Sequence, residues 1–376
     1  MKYIFRLFLL SILTLYSVGC QTGEESVPLQ SYSELPELHV DLVNEFGEGD
    51  NYYPAMPSEL LLLDDGSLVL SDHGSTTIEH FSSDGEHLGT IAREGQGPGE
   101  LNPYFFMYQF SGSVFAARQQ MSNRIDLFIQ ENSGEISYSH SVQPDRNAFV
   151  WGDLLPFGDA EIMAVEERDW FDEDSQVDPS DEYHQAGVDI LDFDLNLLQG
   201  TVHEIQHPNP WVQRSETGGV SIFRIPFRHR DRILPRSDGY YWIARSSAQQ
   251  FELYNPDHEL ENRFSIHAEP RAVGEEDLEL RLGNIPGERR TQIESRVPSN
   301  KPAFSDAWAD RESILLQVDR NQDERIYVLL DSNGTFSGRF ALPSSVWIRH
   351  FADDRIIAFK RDSEVGPTIR VYQVDR

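Results

Sequence analysis

From residue 60 to the C-terminus the chain repeats one phrase: a short apolar run, a tight turn, a second run, a third, another turn and a fourth. The clearest copy is LLLLDDGSLVLSD followed by TTIEHFSSDGEHLGTI, residues 60–91, in which two DG turns read as hairpins. Each four-run unit is a four-stranded sheet whose apolar faces it cannot bury alone. Six copies spaced by roughly 40–55 residues therefore predict an all-β chain in which sheets stack into a closed ring, a six-bladed β-propeller.

Aligning the turns sets the register. The first hairpin turn of each blade falls at Asp64-Asp65-Gly66, Ser111-Gly112, Phe157-Gly158-Asp159, Ser237-Asp238-Gly239, Asp310-Arg311-Glu312 and Asp353-Asp354, mostly residues that tolerate a left-handed backbone or build side-chain turns. The second falls at Ser83-Asp84-Gly85, Asn132-Ser133-Gly134, Asp194-Leu195-Asn196, Asn255-Pro256-Asp257 and Ser332-Asn333-Gly334, and the last copy lacks it. That copy holds only three runs, at 346–351, 355–360 and 368–374. An orphan alternating run at 38–43, LHVDLV, is too short to fold alone and can supply the fourth strand. The ring would then close by pairing the two ends of the chain, which hides two sheet edges.

Two stretches break the rhythm. Residues 166–187, EERDWFDEDSQVDPSDEYHQAG, interrupt blade three with a dense run of carboxylates. The spacing is not that of an EF-hand, because the glycine and the closing glutamate are missing, so a solvated loop is expected and calcium is the one cofactor left open. Residues 274–296, GEEDLELRLGNIPGERRTQIESR, open each half with acids and close it with arginines. These are helix start and stop signals, and two short helices separated by residues 283–287 are expected on the propeller rim.

The first nineteen residues resemble a bacterial lipoprotein signal: Lys2 and Arg6 give a charged start, residues 7–18 an apolar stretch too short for a comfortable membrane span, and Ser17-Val18-Gly19-Cys20 a small-residue cleavage region. Cys20 is the only cysteine of 376 residues and stands where lipid is attached in such signals. Ser17 departs from the usual leucine. With one thiol the chain has no intramolecular disulfide, and its stability must come from burial. Residues 20–35 read as a flexible tether that holds the folded body, residues 36–376, off a membrane. The formal charge is −32, from 63 acidic and 31 basic residues, so nucleic acid and bare anionic membranes are unsuitable partners. The chain is expected to be monomeric.

Two strings imitate catalytic motifs. His203-Glu204-Ile205-Gln206-His207 is formally H-E-x-x-H, but the register puts it in the outer strand of blade three, where four residues span about 13 Å and two histidines cannot share one zinc. Arg93-Glu94-Gly95-Gln96-Gly97-Pro98-Gly99-Glu100 looks like a phosphate cradle but lacks the terminal Lys-Ser/Thr and a following helix. Gly95, Gly97, Pro98 and Gly99 are expected to make the sharp link between blades one and two. The segment REGQGPGEL after a DG-hairpin blade resembles the six-bladed β-propeller lipoproteins of Gram-negative bacteria, relatives of NHL-repeat proteins. The segments RSDGYYWIARSSAQQFELYNPDHEL, NKPAFSDAWAD and TIRVYQVD agree with it. The resemblance implies a ring anchored in the cell envelope, at the outer membrane, and carries over no catalytic residue.

No G-x-S-x-G occurs and the sole cysteine is assigned to the anchor. The expected activity is therefore non-catalytic, a binding or scaffolding ring for a glycan or peptide. The alternative is a propeller enzyme of the lactonase or lyase type with a metal held in the central channel by residues from separate blades. The links entering the innermost strands gather on one face of a propeller, and here they carry Tyr52, Tyr53, Tyr104, Phe105, Trp151, Arg228, His229, Phe304, Trp347 and His350. Aromatic faces with a few cations suit a sugar or an extended peptide, while each ring taken singly is equally suited to packing between blades.

Overall fold

The computed structural model describes residues 25–29, 32–47, 52, 54–120, 124–143, 151–166, 181–215, 219–362 and 366–376. Their strands form six four-stranded antiparallel blades. The innermost strands are Pro57–Leu62, Phe105–Gln109, Trp151–Phe157, Arg232–Pro235, Asp306–Ala309 and Val346–Ala352, and each touches the next, with the sixth returning to the first. The chain is a six-bladed β-propeller, as the repeat predicts.

Sheet faces explain the apolar runs. In blade five Ile314, Leu316 and Val318 point into the core shared with blade four, while Leu315 between them enters the core shared with blade six. Both faces of the strand are covered, so it reads as an unbroken apolar string where a half-exposed strand would alternate. The same division recurs around the molecule and yields six inter-blade cores.

Blade six confirms the predicted closure. Its first three strands are Val346–Ala352, Arg355–Asp362 and Gly366–Asp375, and the fourth is His39–Phe46 from the other end of the chain. His39 pairs with Asp375 and Phe46 with Ile369 in antiparallel register, and Arg370 grips the Glu45 carboxylate at 2.8 and 3.0 Å. Phe46 then enters the core between blades six and one.

Part of the segment expected to be a tether is laid against the body instead. Glu25–Leu29 pairs in parallel with Leu260–Ala268, the outer strand of blade four. The Tyr32 hydroxyl donates to the Ala303 carbonyl at 2.6 Å, and residues 36–38 exchange backbone hydrogen bonds with Arg339 of blade five. The N-terminal segment thus runs along the outer edges of blades four and five before it completes blade six. An outer strand leaves backbone donors and acceptors unpaired, and a passing segment can satisfy them whatever its composition.

Turn glycines lock neighbouring blades together. Gly85 of blade one has φ +86°, and a Cβ there would stand 2.5 Å from the ring of Phe46 on the outer strand of blade six. Gly334 of blade five repeats the arrangement, with φ +85° and a Cβ 2.5 Å from Phe264 of blade four. By contrast Gly158, at φ +63°, has open space around it.

Comparing two glycine substitutions separates the backbone from the contact. Gly158→Ala is expected to cost about 1 kcal/mol for the left-handed backbone alone, and Gly334→Ala about 3 kcal/mol because the methyl group also displaces Phe264. Urea unfolding of both variants measures the difference, and equal losses would mean that the aromatic lock contributes nothing. Removing residues 38–46 is expected to leave an open sixth blade that aggregates, checked by melting and light scattering.

Candidate functional site

Two insertions decorate one face. Between blades three and four the chain makes a hairpin, Trp211–Arg214 with Val220–Phe223. Between blades four and five it makes helices α1 (Glu275–Leu282) and α2 (Gly287–Glu294). The helices form where the sequence predicts them: Glu275, Glu276 and Asp277 occupy the first turn of α1 and Arg281 its last, matching the helix dipole, and the Asp277 carboxylate accepts from the Gly274 N–H at 3.0 Å. Their placement on the rim is corrected. Ile225, Leu282 and Ile293 make a small core with Trp211, Phe223, Leu278 and Ile285, which joins helices and hairpin into a cap over the channel mouth. A short amphipathic helix has too little apolar area to stand alone, and the neighbouring hairpin provides the rest.

Under this cap lies a cavity of about 990 Å³. Blades one to three contribute Glu59, Phe106, Tyr108, Arg118, Asp153, His184 and His207 to its wall; the cap and its connections contribute Ile222, Ile225, Phe227, Arg228, Leu280, Arg281 and Ile285; blade five and the link into it contribute Lys301, Phe304, Asp319 and Arg320. A volume near the upper end of the range for small-molecule sites makes this a plain ligand chamber.

Several wall residues are fixed by their own partners. Arg230 meets Asp153 at 3.0 Å, Lys301 sits between Asp277 at 2.6 Å and Asp319 at 3.1 Å, and Arg228 donates to the Asn209 and Glu182 carbonyls at 2.6 and 3.1 Å. His184 hydrogen-bonds Asn209 Oδ1 at 2.7 Å and meets His207 edge to face at 5.9 Å. Burial, and then the charge of Arg230, pushes His207 down to about 3. Tyr108 is shifted upward, also chiefly by burial.

The residues marked from the sequence scatter. Arg228 and Phe304 line the chamber. Phe105 is wholly buried between blades one and two, while Phe106 beside it takes the chamber wall. Tyr52 donates to Asp72 at 2.7 Å and stacks on His87, Tyr104 is exposed, and His229 is half-buried near Ser246. Trp347 is partly exposed with three arginines over its ring, and burial lowers His350 to about 4. Tyr53, the side chain of Trp151, Cys20 and residues 167–180 of the acidic insertion lie outside the described residues. In the glycine-rich segment after blade one, Gly95 N–H bonds the Leu101 carbonyl, Gly97 N–H bonds the Glu100 carboxylate at 2.6 Å, and Gly99 takes φ +74° against Tyr138.

Sequence reasoning missed the cap hairpin and most of the wall. The signal was present in FRIPFRHRDRI, residues 223–233, where Arg228, Arg230 and Arg232 alternate as they must to share one side of an extended segment.

The H-E-x-x-H string is strand, as the register requires, within Leu197–Pro208. His203 Nε2 pairs with the Tyr241 hydroxyl at 2.6 Å, and the same hydroxyl meets His258 Nδ1 at 2.8 Å. His207 belongs to the chamber wall. Among the described residues the one trio of His, Asp and Glu ligand atoms close enough for a shared ion is His39, Asp41 and Asp375, exposed on blade six and remote from the channel.

No family model and no curated protein matches the sequence. Solved structures do. An exported protein from Bacteroides fragilis aligns over 93% of this chain and 99% of its own, with TM-score 0.53 and 12% identity. A member of the DUF4221 family from Bacteroides vulgatus aligns over 90% and 99%, with TM-score 0.52 and 10% identity. The likeness is one of fold. A virginiamycin B lyase from Staphylococcus aureus aligns more loosely, with TM-score 0.42 and 12% identity over 90% of this chain and 99% of its own, and carries no argument about activity.

Burial makes stability depend on pH. His203 is held down to about 4, first by desolvation and then by His258 and Arg245, and His207 to about 3. Unfolded histidines protonate near ~6.5, so the folded state is favoured fully above that pH and loses stability as the pH falls from there toward about 4. The melting temperature is expected to drop between pH 6.5 and 4.5, and a His203→Gln, His207→Gln double variant to show a shallower drop. An unchanged slope would assign the loss to other groups.

Proposed function

We propose that this protein is an exported, lipid-anchored β-propeller of the cell envelope that binds a small ligand in the capped channel mouth and does no chemistry on it. The single observation that carries this reading is the chamber itself, about 990 Å³ with aromatic, aliphatic and charged walls drawn from five blades and the cap. The lipoprotein-like signal ending in Cys20 supports the anchor, and no described helix is long and apolar enough to cross a membrane. The exported Bacteroides fragilis protein of the same fold agrees with export. A glycan or short peptide fits the mixture of rings and hydrogen-bonding groups. The metal-dependent lactonase or lyase alternative is less well supported, because the described wall residues do not gather three imidazole or carboxylate ligand atoms at one point.

Two experiments test this reading. Cys20→Ser is expected to move the protein from the detergent phase to the soluble fraction, and a wild-type protein already soluble and free of lipid would remove the anchor. A glycan and peptide array probed with wild type, Phe106→Ala and Phe227→Ala is expected to find a ligand whose affinity falls at least about tenfold in both variants, as lost aromatic anchors usually do. Undiminished binding by both folded variants would place the ligand elsewhere.

A further inference from the structure

The chain is strongly acidic, yet its chamber is not. Eight lysines and arginines line the wall against four carboxylates, in a protein with twice as many acids as bases. The four carboxylates are already engaged: Asp153 by Arg230, Asp277 and Asp319 by Lys301, and Glu59 by the Ser58 and Ser71 hydroxyls at 2.6 Å. Arg228 and Arg232 also meet carboxylates just outside the wall, Glu182 at 3.8 Å and Asp306 at 3.3 Å, and the positive charge that remains is smaller than the count of lining residues but still faces the space.

The excess has a focus. Arg320 and Arg325 stand directly opposite each other in the register of two neighbouring strands of blade five. Like charges so placed repel, and Arg281 of α1 adds a third charge from the cap side. Among the described residues none of the three has a carboxylate within ion-pair distance. Asp306, the acid that acts on Arg325, is held by Arg232 at 3.3 Å. Arg325 is only 3% exposed and its Nη2 has no hydrogen-bond partner. Arg325 donates to two neutral acceptors, the Ser344 carbonyl at 3.1 Å and Gln317 Oε1 at 3.4 Å, and the other compensation is aromatic: Arg325 lies 3.9 Å and Arg320 5.5 Å from the Trp347 ring centre, and Arg281 5.7 Å from that of Phe227. Desolvation lowers all three below the ordinary arginine value, Arg325 to about 10.

We propose that Arg281 and Arg320, with Arg325 behind them, form an anion subsite, and that the ligand of the chamber is a small organic acid or acidic sugar whose carboxylate or phosphate group seats there. The inference rests on the ligand-binding reading above and names its chemical class. Guanidinium forks match both anions, and burial strengthens the contact. The ligand's frame would lie along Ile225, Phe227 and Leu282, so one arginine comes from the cap and one from the ring, and an anion between them ties the two together.

The test uses the mature protein, titrated calorimetrically with trigalacturonate, glucose 6-phosphate and neutral maltotriose, alongside melting curves with and without inorganic phosphate. Binding of at least one acidic probe and not of maltotriose is expected, weakening at high salt and falling at least about tenfold in Arg320→Gln and in Arg281→Gln, in line with loss of a charge-assisted pair. Phosphate is expected to raise the melting temperature of wild type more than that of either variant. Without anion, Arg320→Gln is expected to be at least as stable as wild type, because a repulsion is removed. Binding of maltotriose that both variants retain would keep the ligand-binding reading and overturn the anion subsite. Absence of binding by both acidic probes, together with equal phosphate shifts in all three proteins, would overturn the subsite as well. So would an Arg320→Gln protein markedly less stable than wild type and equally responsive to phosphate, since the arginine would then serve only to stack on Trp347.

Discussion

Every blade of this ring is apolar on both faces and can cover neither, so the structure depends on six shared interfaces that must all exist at once. Leu315 serves one neighbour while Ile314 and Leu316 serve the other, and no strand of blade five can leave without uncovering both. Closure is the condition for the rest, which is why the outer strand of the last blade is drawn from the far end of the chain. The same condition explains the absence of any need for disulfides in a chain with one cysteine: cooperativity around the ring does the work of a cross-link.

A closed ring of identical logic offers function only at its ends, where the links differ. Two of these links grew here into a hairpin and a pair of helices, and neither could bury its own apolar side. Packed on each other through Leu282, Ile293, Trp211 and Phe223, they roof the channel mouth and turn an open funnel into a chamber. The cap also shapes the electrostatics, because it adds the charge of Arg281 to those of Arg320 and Arg325 of blade five. Net charge repels anions from the outer surface in general, but a lined cavity sets its own local field. The composition-level exclusion of polyanions therefore describes the outside of the molecule and not its interior.

The aromatic positions show why a site on such a fold is hard to read in one dimension. Phe105 and Phe106 are adjacent and chemically identical, yet one fills the core between blades and the other walls the chamber. Successive residues of a strand point to opposite sides, so a shift of one position exchanges packing for exposure. Counting aromatic residues near a link finds the right neighbourhood and cannot choose between neighbours. Alternating Arg228, Arg230 and Arg232 were a better signal, since alternation itself states that they share a side.

The architecture was legible in the sequence because it rests on local rules: apolar runs of strand length, turn residues at fixed offsets, and a final copy one strand short. Those rules also gave both helices and exposed the H-E-x-x-H string as strand, with His203 bound to Tyr241 of the next blade. The docking of the N-terminal segment on blades four and five, the cap and the charge of the chamber were decided only in three dimensions. Their determinants are contacts between residues far apart in the chain, such as Tyr32 with Ala303 or Ile225 with Leu282, and a long-range pairing leaves no periodic trace in the sequence of either partner.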